Sequence, residues 1–520
     1  MDRASRYLIG IDLGTTNSVV AFLDRESFGK GETPEIRLFR VAQLVAEGEI
    51  ASRPTLPSFL YFPTESEHSS GGFRLPWEDS PLSVVGRLAR ERGALVPGRQ
   101  VSSAKSWLCH AAVDRTARIL PWGAEPPAPM VSPVEASVRY LAHLRDAWNH
   151  AMAGEASRAE ESRFERQEIV LAVPASFDEE ARELTVEAAR QAGLEKLTLL
   201  EEPLAAFYAW IATNRGSLKT ELHGGDVVLV CDVGGGTSDF SLIRVHVVDG
   251  EVQFERTAIG EHLLLGGDNL DLALARRIEE KLDHPKLSLA QQQALRRTCC
   301  AIKERLLINR TLKRLPVTIL GSGRSIVGGA LTAELTRDEV LETLTNGFLP
   351  VVAPDDLPVR EKRTGLREIG LPYVREAAIT RHLAAFLTQA GSTTNRGGDV
   401  HNHHDPGTDG MSLSHDGAQA AGPQLSVPRM VRPDAILFNG GFFVPAVARQ
   451  KIVEAVSSWF NDTSGAWQAK VLSNEAPGTA VAIGAAYYNL VRRGGGLRIK
   501  AGSARAYYVG VHGGTRDADH

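Results

Sequence analysis

The sequence predicts an α/β protein built from two similar lobes that face each other across a cleft. Two stretches carry this prediction, residues 7–22 and residues 227–240. Each begins as an unbroken apolar run, which is typical of a strand buried on both faces. Each then passes through an Asp and a glycine turn into a second strand, so each is predicted to be a β-hairpin. Two hairpins of the same design indicate a duplicated half-domain.

The turns of both hairpins have the composition of phosphate-binding loops. The residues concerned are Asp12, Gly14, Thr15 and Thr16 in the first hairpin and Asp232, Gly234, Gly235, Gly236 and Thr237 in the second. Glycines let the backbone turn sharply and bring several N–H groups close to an anion. An acid at the strand end suits Mg²⁺ or its water ligands. Because a strand rather than a helix follows each turn, neither is a Walker P-loop.

Length and composition narrow the class of protein. A chain of 520 residues is long for one core, so two or more domains are expected. The net charge of -5 gives no reason to expect nucleic acid or an anionic membrane as a partner. No apolar run is long enough to span a bilayer, and residues 1–20 lack a signal-peptide layout. Four scattered cysteines indicate reduced thiols, and a cytoplasmic location is expected.

Strands and helices alternate between the two hairpins, as an α/β fold requires. Apolar spacing predicts helices at 133–152, 178–192 and 204–213 and strands at 169–174 and 197–200. Glu202 precedes Pro203 at a helix start, where an acid often only satisfies the helix dipole. Its functional alternative is a carboxylate aimed at a metal-bound water. Lys105, judged from its neighbours alone, is predicted to be a solvated surface residue.

The chain after the second hairpin adds one lysine, one turn and one helix of interest. Lys303 lies on a helical stretch, and Asn439, Gly440 and Gly441 form a turn after a strand. Residues 480–491 are rich in alanine and glycine and predict a helix that packs closely on a neighbour.

Residues 389–428 contain His401, His403, His404 and His415 in a polar setting. We predict a disordered insertion there, with a metal site as the alternative.

Eight motifs in order resemble the nucleotide-binding domain of the heat shock protein 70 (DnaK-type) chaperones. They are GIDLGTTNS at 10–18, AKSWL at 104–108, VPASFDEEAR at 173–182, AGLEKLTLLEEPLAAFYA at 192–209, DVGGGTSDFS at 232–241, LGGDNLD at 265–271, NGG at 439–441 and AVAIGAA at 480–486. Their order and spacing match over most of residues 6–493. The resemblance implies an actin-like ATPase fold, in which two ribonuclease H-like lobes enclose a central nucleotide cleft.

The resemblance also implies roles for individual residues. Asp12, Asp232 and Glu202 are implied to bind Mg²⁺, mostly through its water ligands. The catalytic group is Lys105, Glu202, Asp239 and Thr237, with Asp239 acting on the attacking water and Lys105 steadying that water and the γ-phosphate. The implied contacts to ATP or ADP are Gly14, Thr15, Thr16, Asn17, Gly234, Gly235, Gly236, Thr237, Gly267, Lys303, Asn439, Gly440 and Gly441. K⁺ is a further candidate ion. Slow hydrolysis of ATP is the expected activity.

Departures from the family pattern are concentrated around the adenosine. The segment after Gly441 lacks the Arg that the family places against adenine. Cys300 and Leu307 stand where an acid and a Ser are usual, and Gly478 replaces an Asp. We therefore predict nucleotide binding that is weaker, or less selective for the base, than in a typical chaperone of the family.

The domain boundaries follow from the same resemblance. We predict lobe I at 1–220 and 474–493, with an outer subdomain at 51–124. Lobe II is predicted at 221–473, with an outer subdomain at 266–330, and a linker and tail at 494–520. Residues 494–520 are too short for the peptide-binding domain that family members carry. The chain is therefore expected to be the ATPase part of a longer protein or an atypical member that works with a separate partner.

Three functions fit these observations. The first is a chaperone-type ATPase whose lobe closure is switched by nucleotide and read by a protein client, a co-chaperone or an exchange factor. The second is a sugar or polyol kinase of the same superfamily. The third is a scaffold that binds nucleotide without hydrolysing it. The combination of Lys105, Glu202, Asp232 and Asp239 favours hydrolysis over the scaffold. The oligomeric state is not indicated by the sequence.

Overall fold

The structure of the protein is a computed structural model. It describes residues 5–29, 35–96, 98–110, 112–124, 128–153, 159–261, 263–282, 286–320, 329–358, 367–368, 371–372, 376–394, 430–461 and 467–501. Within these ranges, no helix is both long enough and apolar enough to cross a membrane.

The strands fall into two large sheets and several small ones. In the first half of the chain they are β1 Tyr7–Leu13, β2 Asn17–Asp24, β3 Arg37–Leu38, β4 Val41–Ala46, β5 Glu49–Arg53, β6 Leu56–Pro57, β7 Leu60–Tyr61, β8 Val84–Val85, β9 Gln100–Val101, β10 Glu168–Val173 and β11 Leu197–Glu201. In the second half they are β12 Val227–Val233, β13 Ser238–Val248, β14 Glu251–Ile259, β15 Arg314–Leu320, β16 Ala330–Thr336, β17 Arg367–Glu368, β18 Leu371–Pro372, β19 Ala435–Asn439, β20 Lys470–Leu472 and β21 Ile499–Ala501.

The helices surround these sheets and close the space between them. They are α1 Glu65–Ser69, α2 Arg87–Leu95, α3 Ala104–Leu108, α4 Pro133–Trp148, α5 Ala159–Ser162, α6 Glu179–Gln191, α7 Glu202–Thr213, α8 Leu218–Glu221, α9 Gly267–Lys281, α10 Leu289–Ile308, α11 Arg337–Glu342, α12 Ile379–Thr394, α13 Ala446–Phe460 and α14 Ala480–Arg492. Short π-helical turns follow α4 and α11 at Asn149–Ala153 and Thr343–Phe348, and 3₁₀ turns lie at Phe164–Arg166 and Gly441–Phe443.

The two large sheets repeat one strand pattern. In the first sheet the order is β11-β10-β1-β2-β3, and in the second it is β20-β19-β12-β13-β14-β21. In both, the first strand of the predicted hairpin pairs antiparallel with the next strand and parallel with a later one. The duplication predicted from the two hairpins is therefore present in the strand order. We refer to the two halves as the first and second lobes.

Helices α7 and α14 lie between the two sheets and join the lobes. Side chains of α7, α14, β12 and β19 share one buried apolar cluster. The predicted close packing of α14 is confirmed at two glycines. A Cβ on Gly484 would lie 1.7 Å from the Ala205 carbonyl oxygen, and a Cβ on Gly10 would lie 2.2 Å from the Ala486 nitrogen. Only glycine fits at these crossings, because any side chain would overlap backbone atoms.

Parts of two predicted segments differ from expectation. The predicted insertion at 389–428 begins inside α12, which runs to Thr394 and packs on the second lobe as far as Ala390. Residues 395–428, with the four histidines, lie outside the described residues. The predicted linker at 494–520 includes β21, which pairs parallel with β14 at the edge of the second sheet. Residues 502–520 lie outside the described residues.

Candidate functional site

The turns of the two predicted hairpins touch each other across the cleft. A Cβ on Gly235 would lie 2.4 Å from Thr16 Oγ1, and a Cβ on Gly236 would lie 3.4 Å from Thr15 Oγ1. The glycines therefore let the hydroxyl-bearing turn of the first lobe approach the glycine turn of the second. Backbone N–H groups and hydroxyls from both lobes meet at one place, as an anion site requires.

Hydrogen bonds within the second lobe fix the glycine turn. The Gly234 nitrogen donates to the Thr237 carbonyl oxygen at 2.9 Å, which closes the turn. The Gly267 nitrogen, at the start of α9, donates to the Gly234 carbonyl oxygen at 3.0 Å. A Cβ on Gly266 would lie 2.6 Å from the Gly235 carbonyl oxygen. Glycine at position 266 therefore allows the start of α9 to lie against the glycine turn. Gly267 thus supports the turn as well as lining the cleft.

Lys105 is buried, contrary to its reading from neighbouring residues alone. It lies on α3 and is 9% exposed, and its ammonium forms an ion pair with the Glu202 carboxylate at the start of α7. Burial lowers the pKa of Lys105, but Glu202 and Asp12 more than offset this effect, so the pKa is raised overall. The lysine therefore stays charged inside the cleft.

Three aspartates at the hairpin strands share this buried charge environment. Burial raises the pKa of Asp12 to about 7, with Lys105 acting in the opposite direction. Burial, reinforced by Glu202, likewise raises the pKa of Asp239 to about 7. Burial and the Glu202 carboxylate hold the pKa of Asp232 well above its usual range. Four carboxyl groups therefore surround a single lysine, and burial together with this excess of acids disfavours the charged forms of the three aspartates.

The turn after β19 lies next to Asp232. Asn439 is the register partner of Asp232 in the parallel pair β12–β19, and its side chain hydrogen-bonds the Asp232 carboxylate. Gly440 has a φ of 87°, in the region that favours glycine. A Cβ on Gly440 would lie 2.1 Å from the Val233 carbonyl oxygen and 3.0 Å from Asp232 Oδ1. Gly440 therefore allows the turn to pass close to the acid.

These residues line one cavity of about 470 Å³ between the lobes. The predicted site residues on its wall are Asp12, Gly14, Thr15, Thr16, Asn17, Lys105, Glu202, Asp232, Gly234, Gly235, Thr237, Gly267, Lys303, Asn439, Gly440 and Gly441. Gly236 and Asp239 are not among the lining residues: Gly236 contacts the first hairpin turn, and Asp239 is a buried neighbour of Lys105 and Glu202. The volume falls within the range typical of small-ligand sites.

The cavity has a second end, which we call the far end, bounded by α10, by the turn after β19 and by the start of α14. Apolar side chains dominate it, among them Leu307, Phe442, Val444, Pro445 and Val481. Lys303 Nζ lies at this end, 2.7 Å from Asp271 Oδ1. Burial lowers the pKa of Lys303, but Asp271 contributes most to a net increase.

The sequence reasoning missed a group of polar contacts that joins the two lobes. Ser103 Oγ donates to Asp268 Oδ2 at 3.2 Å, and Arg296 Nη2 lies 3.3 Å from the same oxygen. Arg297 Nη1 donates to the Gly93 carbonyl oxygen at 2.6 Å. The acids beside the Gly266–Gly267 pair were a visible signal for Asp268. No sequence signal pointed to Ser103 or Gly93, the partners in the first lobe, because these contacts depend on how the lobes close.

The carboxylates fit a cation held through water better than one held by direct ligands. In the described part of the chain, no three His, Cys, Asp or Glu side chains are placed to hold a metal ion directly. Mg²⁺ typically keeps several waters and binds one or two carboxylates together with phosphate oxygens. Asp12, Glu202 and Asp232 on the cavity wall match this chemistry.

Comparison with known proteins gives consistent matches. The profile of the family described as Hsp70 protein matches residues 152–354. The chain is 34% identical over 314 residues to the chaperone protein HscA homolog of Pseudomonas putida, covering 58% of this chain and 42% of the relative. It is 33% identical over 295 residues to the chaperone protein HscA of Shigella boydii, covering 54% and 39%. The homolog of Actinobacillus pleuropneumoniae is 30% identical over 302 residues, covering 56% and 40%.

The chain spans about two fifths of the length of these relatives. The profile match includes Glu202, the second hairpin and α9, but not the first hairpin, Lys105 or the turn after β19. The duplicated strand order and the matches agree on one fold class, so the predicted actin-like ATPase fold is confirmed. The chain is thus similar to the Hsp70 family over residues 152–354 and to HscA-type chaperones over somewhat more than half of its length.

Proposed function

We propose that the cleft binds ATP with Mg²⁺ and hydrolyses the γ-phosphate, and that nucleotide-dependent closure of the lobes is the output. One observation carries the proposal. The carboxyl groups of Asp12, Glu202, Asp232 and Asp239 converge beside Lys105 where the two hairpin turns touch, and all but Asp12 are buried. Uncompensated buried charge is costly, so this arrangement is expected to gain a cation on binding its ligand.

Each group has a role in this proposal. Backbone N–H groups of the two turns and the hydroxyls of Thr15, Thr16 and Thr237 bind phosphate oxygens. Asp12, Asp232 and Glu202 would hold Mg²⁺ through its waters, and the ion would supply charge neutralisation of the phosphates. Lys105 stabilises the charge that develops on the γ-phosphate.

The position of Asp239 suits a group that orients the attacking water. It faces Asp232 across the second hairpin and lies near both Lys105 and Glu202. A buried carboxylate with a pKa of about 7 accepts a proton readily near neutral pH. In phosphoryl transfer, positioning and charge stabilisation supply most of the rate enhancement. Slow turnover follows if closure of the lobes, rather than chemistry, is the step that a partner reads.

The partners are proposed from the relatives. The similar proteins carry the name chaperone, so a protein client is the proposed target and a co-chaperone or an exchange factor the proposed regulator. Contacts between Ser103 and Asp268 and between Arg297 and Gly93 cross the cleft and would break when it opens. Opening and closing of this cleft is thus a change that a partner could recognise.

A single-turnover ATPase assay tests the proposal. Lys105→Ala should reduce the rate of hydrolysis by roughly a hundredfold or more, because the developing charge on the γ-phosphate loses its stabilising cation. The matched control is Lys219→Ala, which removes an exposed lysine on α8, far from the cavity lining, and should leave the rate unchanged. Thermal unfolding with and without ADP verifies that Lys105→Ala still folds and binds nucleotide. An unchanged hydrolysis rate in Lys105→Ala would contradict the proposed mechanism.

A small-molecule kinase is a second candidate, favoured by one feature of the cavity. On the first-lobe side the cavity is also lined by Phe59, Trp107 and Trp122, and the two indole rings lie 4.8 Å apart. An aromatic wall beside the phosphate end, which is the part of the cavity formed by the two hairpin turns and Lys105, could hold an acceptor molecule. The same assay distinguishes the candidates: turnover that requires an added sugar or polyol supports the kinase, and turnover with water alone supports the ATPase.

A further inference from the structure

The basic side chains at the far end of the cavity are already engaged. Lys303 is paired with Asp271, Arg296 with Asp268, and Arg297 with a carbonyl oxygen of the first lobe. A cation that is paired within the protein is held in place and can still lie against a ligand ring, but stacking of this kind does not distinguish one purine from another. These three residues are therefore not expected to select one purine base over the other.

The nearest arginine after the Gly440 turn is engaged as well. Arg449, on α13, directs Nη1 at the backbone, where it donates to the Phe443 carbonyl oxygen and, at 3.2 Å, to the Val444 carbonyl oxygen. These bonds hold the guanidinium on the segment that forms one wall of the far end. Arg449 does not line the cavity.

Glu304 is an acidic group at the far end that forms no close ion pair within the described residues, although its charge contributes to the raised pKa of Lys303. It lies on the exposed side of α10 and lines the cavity. Its nearest polar contact is the thiol of Cys300, whose Sγ donates to Glu304 Oε1 at 3.8 Å. Among the described residues, no ion pair involves this carboxylate. A base at this end would therefore lie beside a negative charge.

The remaining wall is apolar. Leu307, Phe442, Val444, Pro445, Pro477 and Val481 supply it. Apolar contact favours a large ring over a small one, because more surface leaves water. Apolar contact does not distinguish the amino group of adenine from the carbonyl group of guanine. That distinction requires hydrogen-bonding groups of the protein, which the wrong base would leave unpaired.

We propose that this site accepts purine nucleotides without selecting adenine over guanine, and that Glu304 weakens the binding of every base. The inference rests on the proposed nucleotide function of the phosphate end. The triphosphate and its Mg²⁺ supply most of the affinity, and the base adds apolar contact. The carboxylate of Glu304 opposes both the negative face of the ring and the phosphates.

Calorimetric titration of the whole chain tests the base selectivity, using ADP, GDP, CDP and pyrophosphate, each with Mg²⁺. We expect the dissociation constants of ADP and GDP to agree within about tenfold, CDP to bind more weakly, and pyrophosphate to bind measurably. A preference for ADP over GDP of roughly a hundredfold or more would overturn the inference and leave the proposed function standing. Failure of all four ligands to bind would contradict the proposed function itself.

Two substitutions test the part assigned to Glu304. Glu304→Arg should tighten ADP and GDP by roughly 3–10-fold, because a cation replaces an anion beside the ring. Glu304→Gln should tighten both by about twofold, since only the repulsion is removed. Glu280→Arg makes the same charge change at an exposed position on α9 that does not line the cavity, and should have no effect. Unchanged affinities in both Glu304 variants, or an equal gain in Glu280→Arg, would overturn the role of Glu304.

Discussion

The two ends of the cleft use their charged groups in different ways. At the phosphate end, four carboxyl groups share one lysine, so the acidic groups outnumber the basic ones. At the far end, Lys303, Arg296 and Arg297 each have a partner, and the wall is apolar apart from Glu304. The acidic groups at the phosphate end lack enough cationic partners without a ligand, whereas the basic groups at the far end already have partners within the protein. We infer that binding energy is concentrated where the protein leaves charge uncompensated.

The largest expected effect comes from a methyl group beside Asp232. Gly440→Ala should cost on the order of 3 kcal/mol in the free energy of unfolding, because φ is 87° and the new Cβ would overlap the Val233 carbonyl. The shift would also displace Asp232, so nucleotide affinity should fall by at least roughly tenfold. The control is Gly216→Ala, where no atom lies within 4 Å of the added Cβ and which does not line the cavity. Equal effects of the two substitutions would contradict this account of the phosphate end.

A smaller effect is expected from removing one of the excess charges. The folded-state pKa of Asp239 is about 7, against an ordinary value of 3.8. Between these values the folded protein keeps a proton that the unfolded chain releases, so the free energy of unfolding falls as pH rises to about 7 and then levels off. Asp239→Asn is neutral at every pH and should therefore stabilise the metal-free protein by about 2 kcal/mol at pH 8.

The measurement is thermal unfolding of wild type and Asp239→Asn in a chelating buffer. The advantage of the variant should be clearly smaller at pH 5 than at pH 8, since wild-type Asp239 is protonated in the fold at the lower pH. The same variant should lose hydrolysis of ATP. A stability difference that does not depend on pH would show that Asp239 carries no excess charge in the metal-free protein.

The smallest effect is expected at the far end. Val444 is 47% exposed and lines the cavity, so Val444→Ala should leave stability nearly unchanged and weaken ADP binding by about twofold through lost apolar contact. The comparison partner at the phosphate end is Thr237→Ala, which removes a hydroxyl from the cavity wall. Calorimetric titration of both variants compares the ends directly. A larger loss in Val444→Ala than in Thr237→Ala would reverse the proposed distribution of binding energy.

The phosphate end could be predicted from the sequence because its parts are local. Asp12 and Asp232 each lie in one hairpin with their glycines, so strand and turn patterns were sufficient. Lys105 needed the family resemblance. Nothing in its neighbours indicates that α3 is buried or that Glu202, 97 positions later, pairs with it. The roles given to these residues stay predictions until the variants are measured.

The features that could not be predicted depend on distant contacts. Strand β21 lies in a Gly-rich, polar stretch that by composition favours a linker, and it forms because the edge of β14 is available. Helix α12 extends past residue 389, where Ala390 still packs against the second lobe. The contacts of Ser103 and Arg297 join residues of opposite lobes, and their geometry follows from lobe closure rather than from local pattern.

The crossing of α14 over β1 has a consequence for how the chain is made. Asn489 on α14 donates to the Ile9 carbonyl oxygen, across a separation of 480 positions. Strand β1 therefore leaves the ribosome long before the helix that covers Gly10 has been synthesised. Until then a nascent first lobe presents an uncovered apolar face, and its completion is a late, long-range step. During synthesis this chain therefore exposes apolar surface of the kind that chaperones bind, although its own relatives are named chaperones.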